Sequence, residues 1–168
     1  VVCSFYEDSN ATLVDGKQAD NSAANAGAAY VFARSGTTWS QQAYLKASNT
    51  GAGDAFGYSV GISGDAIVVG ACYEDSHVGA AYVYTRSSGN WSQQAYLKPS
   101  DPVMMGSEYF GWAAAISNDT VVVGAWSEDS NATGVNGDEN NNLAPYAGAA
   151  YIFREAFCSN QSGTWSNA

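Results

Sequence analysis

One six-residue word occurs three times in this chain, as Gly27-Ala28-Ala29-Tyr30-Val31-Phe32, Gly79-Ala80-Ala81-Tyr82-Val83-Tyr84 and Gly148-Ala149-Ala150-Tyr151-Ile152-Phe153. Repetition this close restricts the chain to copies of one supersecondary unit, each burying its apolar face against the next. Other words keep the same order. Trp39-Ser40-Gln41-Gln42-Ala43-Tyr44-Leu45-Lys46 returns unchanged from Trp91 to Lys98 and restarts at Trp165-Ser166. Asp54-Ala55-Phe56-Gly57-Tyr58 is answered by Glu108-Tyr109-Phe110-Gly111-Trp112, and Val68 to Ser76 by Val122 to Ser130, with a worn copy from Val1 to Ser9. The shortest period, Trp39 to Trp91, is 52 residues. Longer spacings come from inserts at 9–26 and 130–147, so constant words are expected to be strands and elastic ones surface loops.

Each unit reads as four antiparallel strands, A to D. With a period of two, Phe56, Tyr58, Val60 and Ile62 share one face and Gly57, Ser59, Gly61 and Ser63 the other. The copy at Phe110, Trp112, Ala114 and Ile116 does likewise. A strand with one tiny face lets a second sheet approach closely. Ile67–Ala71 and Val121–Ala125 are continuous apolar runs, expected of strands covered on both faces. Ser63-Gly64-Asp65, Ser117-Asn118-Asp119 and Ser87-Ser88-Gly89-Asn90 supply the turns. No stretch combines helical spacing with caps. Four short strands per unit of about fifty residues is the arithmetic of a β-propeller blade. A β-sandwich would not require verbatim repeats, and a solenoid rung is usually shorter.

The fold class expected is therefore all-β, with four-stranded antiparallel propeller blades and just under three of them present. A partial blade spans 1–46 (strands B to D), a complete blade 47–98, and a third blade with long B–C and C–D inserts 99–168. Because the chain opens on a strand B and closes entering a strand D, it is expected to be a segment of a longer protein or to be completed by partner copies.

Composition narrows the function. Of the 168 residues 46% are hydrophobic and only 13% charged, so a core is well supplied and disorder is excluded. A formal net charge of -10 with six lysines and arginines argues against nucleic acid and against anionic membrane surfaces. No apolar run is long enough to span a bilayer as a helix.

Phe-Gly at 56–57 and 110–111, followed by Val-Gly-Ala at 69–71 and 123–125, resembles the FG-GAP repeat of integrin alpha-subunit heads and many bacterial and algal surface proteins. The resemblance covers essentially the whole chain. It implies blades, commonly one of seven, in a disk that serves adhesion and ligand binding outside the cell, through loops on one face. Two departures stand out: Cys72 and Trp126 occupy the place of the family's usual proline, and the A–B hairpins are too short for its aspartate-rich calcium loop.

Few residues suggest chemistry. Gly57-Tyr58-Ser59-Val60-Gly61 matches a nucleophile elbow, but Ser59 lies within an expected strand and its counterpart is Ala113. His77 is the single histidine and reads as a loop residue. Glu7-Asp8, Glu74-Asp75 and Glu128-Asp129 recur once per unit, which marks structural punctuation at the end of strand B rather than an acid–base pair. No cofactor is expected. The nearest approach to a calcium loop begins at Asp129 but carries Asn140 where a bidentate glutamate belongs, and Asp8, Asn10, Asp15 and Asp20 are looser still. Five sequons, at Asn10, Asn90, Asn118, Asn131 and Asn160, fall in expected turns or inserts and are candidate N-glycosylation sites. Cys3, Cys72 and Cys158 fit no metal spacing; one pair is a disulfide candidate in an oxidising compartment, with the pairing open.

The reading is a non-enzymatic extracellular propeller segment that displays loops to a protein or glycan ligand and carries N-linked glycans. Its alternative is a structural subunit of a glycosylated filament or matrix, whose partners are further copies of itself. A propeller lyase or hydrolase would need polar residues near the axis, where strand A offers Gly57, Ser59 and Gly61.

Overall fold

The computed structural model describes residues 1–100, 107–155 and 165–167. They form three antiparallel sheets. The first contains β1 (Val2–Ser4), β2 (Ala28–Ser35) and β3 (Thr38–Leu45). The second contains β4 (Ser59–Ser63), β5 (Ala66–Ala71), β6 (Ala80–Ser87) and β7 (Asn90–Leu97). The third contains β8 (Phe110–Ser117), β9 (Thr120–Ala125), β10 (Ala149–Glu155) and β11 (Trp165–Asn167). Strands pair in sequence order within every sheet, the meander expected of a blade. The Gly-Ala-Ala-Tyr word is strand C each time, and the Trp-Ser word strand D.

The hairpins are tighter than their sequences suggest. Ser63 pairs with Ala66, Ser87 with Asn90, and Ser117 with Thr120, leaving two-residue turns. Gly64, Ser88 and Asn118 take the positive φ that such turns demand at their first position, at 57°, 51° and 53°. Where the outer blades carry inserts, the middle blade crosses from β5 to β6 through a left-handed turn with φ of 51°, 58° and 76° at Asp75, Ser76 and His77.

Packing between sheets makes the core. The first and second sheets enclose Val31, Leu45, Phe56, Ile67, Val69, Tyr82 and Tyr84. The second and third enclose Val68, Val83, Leu97, Phe110, Val121, Val123 and Phe153. Thus β5 is covered on both faces, Ile67 and Val69 toward one neighbour and Val68 toward the other, as its apolar run predicts. In β9 the same kind of run is covered on one face only: Val121 and Val123 are buried while Val122 is 39% exposed. Among the described residues no sheet lies against that outer face.

Strand A also departs from simple alternation. Phe56 lies before β4, and Gly57 turns the backbone with φ of 93°. In the third sheet Gly111, at φ 90°, sits within a bulge between Phe110 and Ala113. Each Phe is therefore buried while the aromatic two residues later points outward, Trp112 being 37% exposed. The freed phenylalanine turns into its own sheet, Phe56 meeting Tyr82 and Tyr84 at 5.3 and 6.2 Å and Phe110 meeting Tyr151 and Phe153 at 5.3 and 6.0 Å.

The Phe-Gly backbone meanwhile rests on the preceding sheet. Phe56 N–H donates to Ala26 O at 2.9 Å and Phe110 N–H to Val78 O at 3.0 Å. A Cβ on Gly27 or Gly79 would collide with the backbone of Phe56 or Phe110, and one on Gly70 with the carbonyl of Gly111. The small face of strand A is used as expected, Gly61 lying against the backbone of Ala115 and Ile116. Gly79→Ala is expected to lower stability by about 3 kcal/mol or more, since backbone must move. Gly36→Ala, with open space around a similar φ of 60°, should cost about 1 kcal/mol. Urea unfolding of the two variants checks the difference.

Candidate functional site

All B-to-C connections leave the sheets on one rim, because the antiparallel meander returns every strand B to the side where strand A begins. On that rim the words end in aromatic residues. Phe5 meets Tyr58 at 5.6 Å, Tyr58 meets Trp112 at 4.6 Å, and Trp112 meets Trp126 at 5.6 Å. A parallel route runs from Tyr58 to Tyr73 at 5.8 Å, Tyr109 at 5.7 Å and Trp126 at 5.5 Å, with His77 stacked on Tyr109 at 5.4 Å. Tyr6 extends the line at one end and Tyr146, parallel to Trp126, at the other. The result is a continuous aromatic ribbon across three sheets. Tyr6, Trp126 and Tyr146 are 68%, 45% and 70% exposed, so it faces solvent. Sequence reasoning missed it because each word supplies only one or two members. The available signal was that the residues flanking each Phe-Gly and Val-Gly-Ala word are aromatic, Tyr73 and Trp126 included.

The inserts 9–26 and 130–147 flank the ribbon. Their acidic residues are engaged with backbone. Asp8 accepts from Asn25 N–H at 2.8 Å and Asp129 from Tyr146 N–H at 2.7 Å, each closing the base of its insert. Asp20 accepts from the Ser22 hydroxyl and from the Ser22 and Asn10 N–H groups, which holds its carboxyl below the usual range. Asp15 accepts from Tyr44 N–H at 2.9 Å. Among the described residues no three His, Cys, Asp or Glu side chains converge as metal ligands.

The recurring glutamates do something the sequence did not disclose. Glu7 accepts from the Tyr44 hydroxyl at 2.8 Å and from Lys46 Nζ at 2.8 Å, and the same ammonium donates to Gly27 O at 2.7 Å. Glu74 repeats this with Tyr96 at 2.7 Å and Lys98 at 2.6 Å, Lys98 reaching Gly79 O at 3.2 Å. Asn49, from the connection before the second sheet, adds a bond to Glu74 at 2.8 Å. Each pair ties the end of strand B to the end of strand D. Lys46 is fully buried, so its removal would leave an uncompensated carboxylate.

The remaining singled-out residues fall as follows. Ser59 lies in β4 and donates to Gly111 O at 2.8 Å, an inter-sheet bond. Asn10, Asn90, Asn118 and Asn131 are exposed, the first and last on the ribbon's rim and the other two at turns on the opposite rim. Asn160 and Cys158 lie outside the described residues. Cys3 is half-buried and Cys72 buried, both as free thiols, and burial pushes them up to about 11 and about 12. They are protonated and weakly nucleophilic at neutral pH.

With this geometry in place, the comparisons with known proteins are specific. The FG-GAP repeat profile matches residues 39–84 and 91–153, well over half of the chain. The chain belongs to the FG-GAP repeat family. Repeats of this kind occur in extracellular adhesion and ligand-binding proteins such as integrins. No individual curated protein matches the chain. Among the described residues no helix is long and apolar enough to cross a membrane.

Two measurements test the polar network. Lys46→Met is expected to cost about 3 kcal/mol, with the Glu7→Gln/Lys46→Met double variant losing less than the sum of the single variants in a denaturation cycle. Asp54, bonded to Gly51 N–H at 2.7 Å just before Phe56, is pushed up to about 6, first by burial, with the Glu74 charge adding to it. The native state then holds a proton that the unfolded state releases near the ordinary aspartate value, about 4. Stability contributed by this group is present below about pH 4 and lost as pH rises toward 6. Urea midpoints at pH 4.5 and 6.5 should show Asp54→Asn lacking this loss.

Proposed function

We propose that the chain is a non-enzymatic ligand-binding module of an extracellular adhesion protein, meeting its partner through the aromatic ribbon and the two inserts beside it. The observation that carries this reading is the ribbon itself: Trp112, Trp126 and Tyr146 are exposed on a rim held rigid by three packed sheets. Exposed indole and phenol rings offer area with little conformational entropy to lose, and their faces suit the apolar faces of sugars or a protein's aliphatic side chains. The flanking inserts add neutral polar groups, Asn and Ser above all, for orientation. N-linked glycans at Asn90 and Asn118 would lie on the opposite rim and leave the ribbon open; those at Asn10 and Asn131 would border it. No cofactor enters the proposal.

A second reading, a structural subunit assembled blade to blade, is favoured by the outer face of the third sheet. Val122 and Ile152 are 39% and 47% exposed there. A cavity of about 400 Å³ opens beside Trp112, Gly124, Trp126 and Gly148. Gly124 and Gly148 correspond to Gly70 and Gly79, which carry the Phe110-Gly111 backbone one sheet earlier.

The test is binding of the chain to arrays of neutral oligosaccharides and matrix glycoproteins, with tryptophan fluorescence as a second readout. Trp126→Ala is expected to weaken binding about tenfold. Trp39→Ala, 64% exposed but on β3 near the opposite rim, should leave it unchanged. Ligand binding indifferent to Trp126, or chains that only form long polymers, would favour the second reading.

A further inference from the structure

Charge is divided unequally between the two rims. The rim that bears the ribbon and the inserts carries twelve of the sixteen acidic residues, at 7–20, 54, 74–75, 108, 128–129 and 138–139, and all three lysines, a net nine of the chain's ten excess negative charges. On the opposite rim Arg34, Arg86 and Arg154 balance Asp65, Asp119 and Glu155, while Asp101 lies outside the described residues. Two of the three lysines are moreover engaged within the frame, where Lys46 and Lys98 neutralise Glu7 and Glu74. The third, Lys17, stands exposed in the first insert.

Carboxylates and rings are interleaved on this rim. Asp129 accepts from Tyr146 N–H at 2.7 Å, which fixes a carboxylate at the base of the ring that stacks on Trp126. Asp75, its side chain 59% exposed, stands in the turn between Tyr73 and His77. Elsewhere in the chain the same combination holds a cation twice. The Arg86 guanidinium lies 5.4 Å from the Trp91 ring while it donates to Asp65, and the Lys98 ammonium lies 5.8 Å from the Tyr96 ring while it donates to Glu74. A carboxylate and a ring face attract the same sign of charge, the ring through its quadrupole. Among the described residues these are the two cation–ring contacts, and neither involves a ring of the ribbon.

We propose that the ribbon's partner is a cationic polypeptide: an extended, arginine-rich segment that lies along the ribbon with its guanidinium planes on the rings and its charge offset by the rim carboxylates. The inference rests on the ligand-binding reading of the ribbon and names the class of partner. Arginine suits the site better than lysine, because its planar, weakly hydrated head stacks on an aromatic face and still donates to a carboxylate. Several cations are called for instead of one, since the ribbon and the excess charge both extend over three sheets. The same field repels sulfated or carboxylated polysaccharides and gives neutral sugars no advantage.

The experiment titrates the chain with a fluorescent peptide, Arg-Ser-Arg-Ser-Arg-Ser, and with its citrulline counterpart, which keeps the shape and loses the charge, beside heparin and neutral oligosaccharides. The arginine peptide should bind saturably. Citrulline should weaken binding at least about tenfold, and raising the salt from about 50 to about 500 mM should weaken the arginine peptide by a similar factor. Trp126→Ala, shown to be folded by circular dichroism, should weaken the arginine peptide about fivefold or more, and Trp39→Ala should not. Equal affinity of the two peptides, indifference of the arginine peptide to Trp126→Ala, tighter binding of heparin, or no saturable binding overturns the proposal. If neutral oligosaccharides or glycoproteins then bind in a Trp126-dependent way, the ribbon stands as a binding surface and only the cationic partner is wrong. If nothing that binds depends on Trp126, the ribbon reading fails as well.

Discussion

Everything in this structure depends on how closely one backbone can lie on another at the Phe-Gly words. Gly27, Gly79 and Gly70 have no side chain because the next sheet's backbone occupies that space. Hydrogen bonds such as Phe56 N–H to Ala26 O then cross between sheets rather than within one. Close approach fixes the angle and separation of neighbouring blades. It also drives Phe56 and Phe110 into the middle of each inter-sheet core, where their rings are nearly sealed from water. Gly57 and Gly111 serve both ends: each lies against the preceding sheet's backbone, at Ala28 O or Ala80 O, and its positive φ aims the ring before it. Burying a phenylalanine contributes roughly 2–3 kcal/mol, so one latch per interface is a large share of a marginal stability.

The glutamate–lysine pairs work at a different level. Hydrophobic contact between sheets is non-directional, but a buried ammonium bonded to a carboxylate and a carbonyl admits one register only. Lys46 and Lys98 lock the last residues of strand D to the turn that ends strand B. Replacing such a pair by apolar residues can be neutral for stability, so its value here lies in specifying which strand closes the blade. Its neighbour Asp8 or Asp129 closes the insert instead. Adjacent carboxylates in one word thus divide the labour, Glu facing the sheet and Asp the loop.

Much of this was legible from the words. Strands B, C and D, their order and the places of their turns follow from alternation, apolar runs and turn residues, and repetition fixed the unit; the turns themselves are tighter than the words suggest. Strand A was misread at its first residues because a period-two pattern has no way to display the positive φ of Gly57 and Gly111; the glycine that flips the phase looks like an ordinary small residue. The lysine partner of each glutamate was hidden by distance, 39 residues from Glu7 to Lys46 and 24 from Glu74 to Lys98. The Glu-Asp word occurs three times and the lysine-ended word twice, and their shared period is the signal that links them. Covered and open faces are not distinguished by the words: Val68 and Val122 stand in matching words, yet among the described residues only Val68 has a neighbouring sheet.

The division between frame and rim explains why the aromatic ribbon can carry function at little structural cost. Residues inside the sheets are constrained from both faces, and a change at Gly70 or Phe110 disturbs two blades together. Cys72 and Trp126 lie just past the strand ends, at the place of the family's usual proline, and Tyr73 follows Cys72. The family's usual proline would end the strand there equally well, and it would offer no ring. The rings of Tyr73 and Trp126 instead join the aromatic ribbon, whose members Tyr6, Trp126 and Tyr146 stand exposed on the loop-bearing rim. Exposed apolar surface without a packing role is the physical mark of a contact surface. A partner that engaged the whole ribbon, as proposed, would have to span adjacent blades.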